Sequence, residues 1–189
     1  MTVRKDELIE SLITYLLENG LADLSLRPLA AGTGTSARLL IYHFGSKEGL
    51  LAEVLEAMQV HVRQSCARLL DKPAPDRSSK PPLKQFWNWA IAARNYPYLK
   101  LLYELQILAI QNPATYAQYL ERNTVSWLDL VLSALSPSLR SPAMATLCAA
   151  VFDGLFIELM SSGDRKRTTQ ALDCFIRIAR AAPASLLKA

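Results

Sequence analysis

The feature that most constrains the fold of this chain is the kind of hydrophobic residue it contains. Its 189 residues include 33 Leu and 25 Ala but only 7 Val and 9 Ile. Leu and Ala favour helices, whereas β-branched residues favour strands, so this balance excludes a fold built on a β-sheet. Because 51% of the residues are hydrophobic, the chain can also bury a substantial core. The sequence therefore predicts an all-α protein.

Proline and glycine residues divide the chain into segments with helical periodicity. In the first segment, Leu8, Leu12 and Leu16 recur on one helix face, and Gly20 follows where helices commonly end. Serines at positions 25, 36 and 46 precede the next three segments and can cap them. A proline-rich segment at 72–82 (KPAPDRSSKPP) is a predicted linker. The sequence predicts about nine helices, at roughly residues 4–19, 26–31, 36–43, 47–70, 82–95, 98–111, 114–135, 143–162 and 165–182.

Several classes of protein are excluded by the same sequence. The longest apolar run, residues 143–160, contains Asp153 and Glu158, so we expect no membrane span. Acidic residues at positions 6 and 7 do not belong in a signal peptide, and three widely separated cysteines fit a reducing cytoplasm better than a disulfide framework or a zinc site. With two histidines and no carboxylate pair or nucleophile triad at usable spacing, we expect no enzyme, metal or cofactor.

Residues 25–47 carry the functional prediction. A short helix, a glycine-containing turn at residues 32–35 and a second short helix capped by Ser36 have the spacing of a helix-turn-helix unit. In such a unit the second helix enters the major groove of DNA. Leu29 and Leu40 are apolar residues that can lock the two helices together. Helical hairpins are common in all-α proteins, so this pattern alone is also compatible with other functions.

The segment LSLRPLAAGTGTSARLLIYHFGSKEGLLAEVL, residues 24–55, resembles the N-terminal signature of the tetracycline-repressor (TetR) family. The matching features are Leu29-Ala30 in the first motif helix, Gly34 in the turn, Ser36 as cap, Phe44 as terminal aromatic and Ser46-Lys47-Glu48 at the next helix start. The resemblance implies a DNA-binding head at residues 1–48 and a helical domain at residues 49–189. In this family the second domain binds a small effector and forms a dimer.

The resemblance and the helix positions together predict the DNA contacts. Arg38 lies in the first turn of its helix, where the dipole disfavours a cation, so a role in guanine readout or phosphate contact is favoured. Lys47 begins the next helix, where backbone N–H groups can bind a phosphate. The family commonly has Thr and Tyr where this chain has Leu39 and Ile41, and neither replacement can hydrogen-bond. The predicted DNA contacts are Arg27, Ser36, Ala37, Arg38, Tyr42, His43 and Lys47.

The C-terminal domain carries aromatic and polar residues that the resemblance assigns to a pocket for a small hydrophobic effector. Each of them is also compatible with ordinary core packing. No ligand chemistry follows from these residue types alone. The predicted pocket residues are Val62, Cys66, Trp87, Tyr103, Gln106 and Trp127.

The last two predicted helices carry the dimer prediction. The segment LCAAVFDGLFIELM, residues 147–160, is apolar nearly all the way round and requires burial on every side. In the family, the equivalent helices form a four-helix dimer bundle. A two-fold dimer also presents two recognition helices to a palindrome. The predicted interface residues are Phe156, Leu159, Leu172, Phe175, Ile176 and Ala179.

Two interpretations remain open at this point. The first is a homodimeric transcriptional regulator, a repressor that binds a palindromic operator in double-stranded DNA and is released by a small hydrophobic effector. The alternative is a helical ligand-binding or adaptor protein with a degenerate DNA-binding head. Residues 1–72 favour the alternative, because 8 Lys and Arg stand against 9 Asp and Glu and give no bulk attraction to DNA. Salt-dependent binding to duplex DNA distinguishes the two.

Overall fold

The computed structural model describes residues 5–21, 24–70 and 81–181, and their regular structure is entirely helical. A short 3-10 turn at Pro137–Leu139 precedes the last helix pair. The all-α prediction is therefore confirmed for the described residues, whereas most of the predicted linker at 72–82 lies outside them. The α-helices are α1 (Lys5–Asn19), α2 (Leu26–Gly32), α3 (Ala37–Phe44), α4 (Lys47–Leu70), α5 (Pro82–Ala90), α6 (Tyr96–Gln111), α7 (Ala117–Ala134), α8 (Pro142–Ser162) and α9 (Arg165–Ala181).

Serine side chains cap two of the N-terminal helices, α3 and α4. The Ser36 hydroxyl accepts a hydrogen bond from the Leu39 N–H at 3.2 Å. The Ser46 hydroxyl accepts one from the Gly49 N–H at 2.9 Å. Ser25 occupies the cap position of α2, but its side chain makes no capping hydrogen bond. Two of the three predicted caps therefore satisfy a backbone donor of their helix.

The largest difference from the predicted helix bounds is in α5. A helix predicted to reach residue 95 ends at Ala90, and residues 91–95 form a turn before α6. Pro97 lies in the first turn of α6, where its missing N–H leaves no helical hydrogen bond unmade. The proline therefore lies in the first turn of the new helix, and the earlier helix ends several residues before it.

The described residues pack into two compact units. Unit 1 contains the described residues of Met1–Val62 and Ala93–Asn123, and unit 2 contains those of Arg63–Ala92 and Thr124–Ala189. The α4 helix is continuous across this division, since residues 47–62 belong to unit 1 and residues 63–70 to unit 2. These units describe packing. The predicted boundary after residue 48 divides the chain by function and stays a prediction.

Unit 1 has a core of leucine side chains from the N-terminal helices. Leu8, Leu29, Leu40 and Leu55, one from each of α1 to α4, are each at most 1% exposed. The α6 helix packs against α1 in the same unit. Burial of Leu40 holds α3 on one side, so the opposite side of this helix is left to solvent.

Unit 2 is organised around Trp87 of α5. Its indole ring is fully buried, with its centroid 5.7 Å from that of Phe152 and 6.4 Å from that of Phe156, both in α8. The indole N–H donates to the Thr169 hydroxyl of α9 at 2.9 Å, so the polar atom of this buried ring is satisfied. One side chain therefore ties α5 to both C-terminal helices.

The α8 helix is apolar enough to need separate description. Asp153 and Glu158 were predicted to exclude a membrane span. However, α8 has the length and composition of a membrane-crossing helix despite these two charges, so they do not exclude one. Core helices of soluble proteins share this property. Within its most apolar window 33% of the residues are buried, so the described residues leave an outer face of this helix uncovered.

Candidate nucleic-acid interface

The α2–turn–α3 segment forms the predicted helix-turn-helix. Leu29 and Ala30 of α2 and Leu40 of α3 are at most 3% exposed, and α2 packs against α3, as expected if these residues lock the two helices together. In the turn, Gly34 has φ +66°, a left-handed conformation that glycine adopts without strain. The Thr35 N–H closes the turn on the Ala30 carbonyl at 2.9 Å. This short, closed turn fixes α3 against α2.

The recognition helix α3 has one buried side and one exposed side. Leu40 and Phe44 are 0% and 7% exposed and form the buried side. Tyr42 is 81% exposed and lies on the opposite side, because residues two apart on a helix point about 200° apart. Arg38, one turn before Tyr42, is also exposed, and Ile41 is 41% exposed. The exposed side therefore combines a cation, a phenol and an aliphatic side chain.

The junction between α3 and α4 holds the recognition helix in place. Gly45 ends α3 with φ +75°. A Cβ atom at Gly49, in the first turn of α4, would lie 2.3 Å from the Phe44 carbonyl oxygen, so only glycine fits there. The Lys5 ammonium of α1 lies 5.2 Å from the centroid of the Phe44 ring and 2.6 Å from the Glu53 carboxylate of α4. This role of Lys5 was not predicted from the sequence, because helical periodicity carries no information about long-range pairing.

Five of the seven predicted DNA contacts lie at the surface of the helix-turn-helix. Arg27, Ser36, Arg38 and Tyr42 are exposed, and Ala37 is half-buried at the start of α3. Arg38 and Tyr42 share the exposed side of α3, whereas Arg27 lies in the first turn of α2. Ser36 already uses its hydroxyl oxygen as the α3 cap, and its hydroxyl proton remains available for donation. The contacts of these residues with DNA stay predictions.

His43 and Lys47 are placed differently from the other five. His43 is half-buried, and among the described residues its buried Nε2 atom has no hydrogen-bond partner. Its ring meets those of Tyr42 and Phe44 edge-on. The Lys47 ammonium donates to the Leu24 carbonyl at 3.3 Å, so one of its three donors serves the head itself. A phosphate contact by Lys47 therefore depends on its remaining donors.

The predicted effector residues are divided between the two units. Val62, Tyr103 and Gln106 belong to unit 1, whereas Cys66, Trp87 and Trp127 belong to unit 2. Trp87 is a core residue of unit 2, and burial raises the pKa of the Cys66 thiol to about 12. An open groove of about 340 Å³ lies elsewhere, on unit 1, and is lined by Ser11, Thr14, Tyr15, Glu18, Gly32, Thr33 and Gly34. The effector role of the six predicted residues stays a prediction.

A buried chain of hydrogen bonds in unit 1 includes one of these residues. The Gln59 amide of α4 donates to the Tyr119 hydroxyl of α7 at 2.8 Å. That hydroxyl donates to the Gln106 side-chain oxygen of α6. Gln59 is 5% exposed and lies between the buried Leu55 and Val62 on the apolar line of α4. Gln59 was not predicted as a site residue, although a polar residue on an apolar helix face is a signal that could have identified it.

Three of the six predicted dimer residues lie in the core of unit 2. Phe156, Leu159 and Leu172 are 0%, 3% and 0% exposed, because this side of α8 and α9 packs within the protomer. They therefore offer no free surface to a second copy, and this part of the prediction is corrected. Phe175, Ile176 and Ala179 are half-buried. The large apolar side chains that unit 2 exposes on these helices are Leu147, Ile157 and Ile178.

Residues 5–54 match the family model described as "Bacterial regulatory proteins, tetR family". This segment contains the whole helix-turn-helix, the junction with α4 and the first turns of α4. The match therefore covers the candidate interface and leaves the rest of the chain outside it. No curated relative matches the chain in sequence.

Solved structures resemble the chain over almost its whole length. A protein from Pseudomonas aeruginosa PAO1 assigned as a transcriptional regulator has a TM-score of 0.75 and 20% identity, covering 98% of this chain and 94% of that one. A transcriptional regulator from Rhodococcus sp. Rha1 has a TM-score of 0.72 and 18% identity, covering 92% and 94%. The multidrug binding protein EbrR in complex with ethidium has a TM-score of 0.68 and 20% identity, covering 91% and 97%. These likenesses establish a shared fold.

Proposed function

We propose that this chain is a DNA-binding transcriptional regulator that acts as a homodimeric repressor, because its head, residues 5–54, matches the family model of bacterial regulatory proteins of the tetR family. In this proposal the dimer binds a palindromic operator and leaves it when a small hydrophobic effector binds. The observation that carries the proposal is the two-sided recognition helix α3. Its buried side holds it rigidly, and its exposed side offers Arg38 and Tyr42 to a groove.

The placement of individual cations compensates for the lack of net positive charge in the N-terminal part of the chain. Residues 1–72 carry 8 Lys and Arg against 9 Asp and Glu, so their summed field does not attract DNA. Arg27 and Arg38 are both exposed on the helix-turn-helix, whereas the Lys5 ammonium is paired with Glu53. A few exposed cations at the groove can position the protein on phosphates and bases. This distribution supports sequence-selective rather than bulk electrostatic binding.

A homodimer is supported by an uncovered face of unit 2. Exposed small or apolar residues recur at intervals of three and four along both C-terminal helices, the spacing of a coiled-coil seam. Exposed stripes of this kind favour burial against a partner. The face, named here the α8–α9 outer face, consists of Leu147, Ala150, Gly154, Ile157 and Ser161 of α8 and Ala171, Cys174, Ile178 and Ala181 of α9.

Charged residues beside the outer face favour a protein partner over lipid. Glu158 of α8 and Arg167 of α9 form an exposed ion pair, and Asp153 is also exposed. Charges of this kind are costly within a bilayer but common at the rim of a protein interface. A second copy of the chain therefore fits this face better than a membrane does, although α8 has the composition of a span.

Effector binding is proposed for the helices that follow the head. EbrR, a structural neighbour, is a multidrug binding protein solved with ethidium and with proflavin. In this chain the Gln59–Tyr119–Gln106 hydrogen bonds join α4 to α7 and α6, and α4 begins at the junction with α3. A ligand that competes for these bonds shifts α4 and so changes the position of α3. The shift is limited by the differential affinity of the ligand for the two states.

A selection from random duplex DNA tests the proposed function. The full chain is expected to enrich a palindromic sequence, and log affinity is expected to fall linearly with log salt. Compounds that change tryptophan fluorescence are then titrated with and without the selected duplex. By linkage, an effector that weakens DNA binding is itself bound more weakly in the presence of that duplex. Failure to bind any duplex at low salt favours the adaptor alternative.

A further inference from the structure

Ile41 is an exposed aliphatic side chain in the middle of the recognition helix. It is 41% exposed, although the helix buries two other apolar residues, Leu40 and Phe44. Leu40 and Phe44 form the buried side of α3, and Ile41 lies outside that side. Single exposed hydrophobic residues are ordinary on protein surfaces. Ile41, however, lies beside Arg38 on the same helix, and this position suits it to contact DNA.

Ile41 lies one helical turn after Arg38, and residues three apart share a helix face. Arg38 is exposed, and the neighbouring Tyr42 is 81% exposed. A groove that admits Arg38 to base edges therefore admits Ile41 as well. Ile41 has no hydrogen-bonding group, so it cannot read the donor and acceptor pattern of a base pair.

We propose that Ile41 reads thymine through its C5-methyl group in the major groove. This inference rests on the proposed function and assigns part of its sequence specificity to a named residue. The thymine methyl is the apolar group on the major-groove edge of the four standard base pairs, and apolar side chains recognise it by direct contact. An exposed isoleucine loses water-accessible surface there without leaving a polar atom unsatisfied.

The spacing of Arg38 and Ile41 also places the thymine relative to the guanine. Three residues rise about 4.5 Å along a helix, whereas successive base pairs are about 3.4 Å apart. The two side chains therefore reach base pairs that are adjacent or nearly so. The operator half-site is expected to contain a thymine within about two base pairs of the guanine that Arg38 contacts.

Removal of single methyl groups from DNA tests this inference. The duplex selected by the full chain is resynthesised with deoxyuridine in place of each thymidine in turn, symmetrically in both half-sites. One position per half-site is expected to lower wild-type affinity by about fourfold per methyl group, the ratio expected for burial of one methyl-sized group. The Ile41→Ala variant should bind the unmodified duplex more weakly and show no further loss on that substitution.

Two controls isolate the methyl contact. Ile110→Ala removes an isoleucine that is 58% exposed on α6, and it should keep the full sensitivity to deoxyuridine. In a second duplex, cytosine replaces the sensitive thymine, and methylation of that cytosine at C5 should raise wild-type affinity about fourfold but leave Ile41→Ala unchanged.

The outcomes separate this inference from the function on which it rests. Sequence-specific binding that is insensitive to every deoxyuridine substitution overturns the role of Ile41 and leaves the regulator intact. A sensitive position that stays equally sensitive in Ile41→Ala assigns the methyl contact to another residue and also overturns it. If no duplex is selected, the proposed function fails and the inference fails with it.

Discussion

The recognition helix of unit 1 and the α8–α9 outer face of unit 2 both expose isoleucine, yet their surroundings differ. On α3, Ile41 stands beside Arg38 and Tyr42 on an eight-residue helix. On the outer face, Ile157 and Ile178 stand among small residues along helices of 21 and 17 residues. The first surface mixes charge with a little apolar area, whereas the second repeats apolar area over many turns.

This difference teaches that exposure of an apolar residue does not by itself identify the partner. A short surface with a cation fits the groove of DNA, where sequence specificity comes from single side-chain contacts with bases. A long surface of small and aliphatic residues fits a second copy of itself, where the free energy of association comes from buried area. The two surfaces also depend on each other, because a palindrome requires both recognition helices at once.

The largest expected effect comes from a charge on the outer face. Ile157→Asp should give a folded monomer, because it places an unpaired carboxylate in the proposed dimer seam at a cost of several kcal/mol. Operator affinity is expected to fall at least about 100-fold, since one recognition helix is lost from the complex. Sedimentation and DNA titration measure the two effects.

The neighbouring residue provides the matched comparison. Phe156 is 0% exposed, so Phe156→Asp should unfold unit 2 itself and abolish its cooperative melting. Ile110→Asp, at an exposed position on α6, should leave both assembly and DNA affinity unchanged. An Ile157→Asp chain that sediments as a dimer with full operator affinity contradicts the proposed interface.

The second effect concerns how rigidly α3 is held. Gly49→Ala should destabilise the head by about 1–3 kcal/mol, because the new Cβ meets the Phe44 carbonyl and the backbone must shift. Operator affinity should fall with it, whereas dimerisation should not change. Thermal melting of the full chain and DNA titration check this.

Glu48→Ala serves as the control for that junction. Glu48 is the exposed neighbour in the first turn of α4, and its loss should cost only about 0.3–1 kcal/mol of interaction with the helix dipole. If Gly49→Ala melts and binds DNA like Glu48→Ala, the tight junction does not position the recognition helix.

The third effect separates base readout from phosphate contact. Arg38→Ala should cost about 1–3 kcal/mol and relax specificity at one base pair per half-site. Lys47→Ala should weaken all sequences alike and flatten the salt slope by about one unit. Because the Lys47 ammonium also donates a hydrogen bond to the Leu24 carbonyl, the thermal stability of Lys47→Ala must be measured alongside its DNA affinity. Arg94→Ala, an exposed cation of unit 1 outside the helix-turn-helix, should do neither. An Arg38→Ala protein with unchanged sequence preference refutes the assignment of α3 as reader.

The N-terminal helices were predictable from sequence because residues close to each helix end determine where the helix begins and ends. Ser36 and Ser46 satisfy backbone donors within three residues of themselves, and Gly45 supplies a positive φ. Periodicity also identified Leu29 and Leu40 as the contact between α2 and α3, because a helix with one apolar side has one possible orientation.

The orientation of α8 was not predictable for the opposite reason. A helix that is apolar all round has no side that its sequence marks as inward, so Phe156 and Leu159 were assigned to the dimer instead of the protomer core. Tertiary partners such as Trp87 decide which side is buried, and they are far away in sequence. The Lys47–Leu24 bond and the Gln59–Tyr119–Gln106 chain are equally non-local.

The smallest expected effect is a difference in thiol reactivity, and it distinguishes the outer face from the core residue by residue. Burial raises the pKa of the Cys66 thiol to about 12 and also raises the pKa of Cys148, whereas Cys174 is exposed on the outer face. At pH 8 a thiol of pKa 12 is ionised in only about one molecule in ten thousand, so a maleimide, which needs the thiolate, should leave Cys66 unlabelled. In the monomeric Ile157→Asp variant, Cys174 should label rapidly and the other two cysteines should not.

In the wild-type dimer, labelling of Cys174 should slow several-fold. It should speed up again on dilution below the dissociation constant of the dimer, because the partner then no longer covers Cys174. Mass spectrometry of labelled peptides measures each cysteine separately, and denatured protein provides the fully labelled reference. Equal labelling of Cys174 in dimer and monomer places it outside the interface and moves the seam away from the middle of α9.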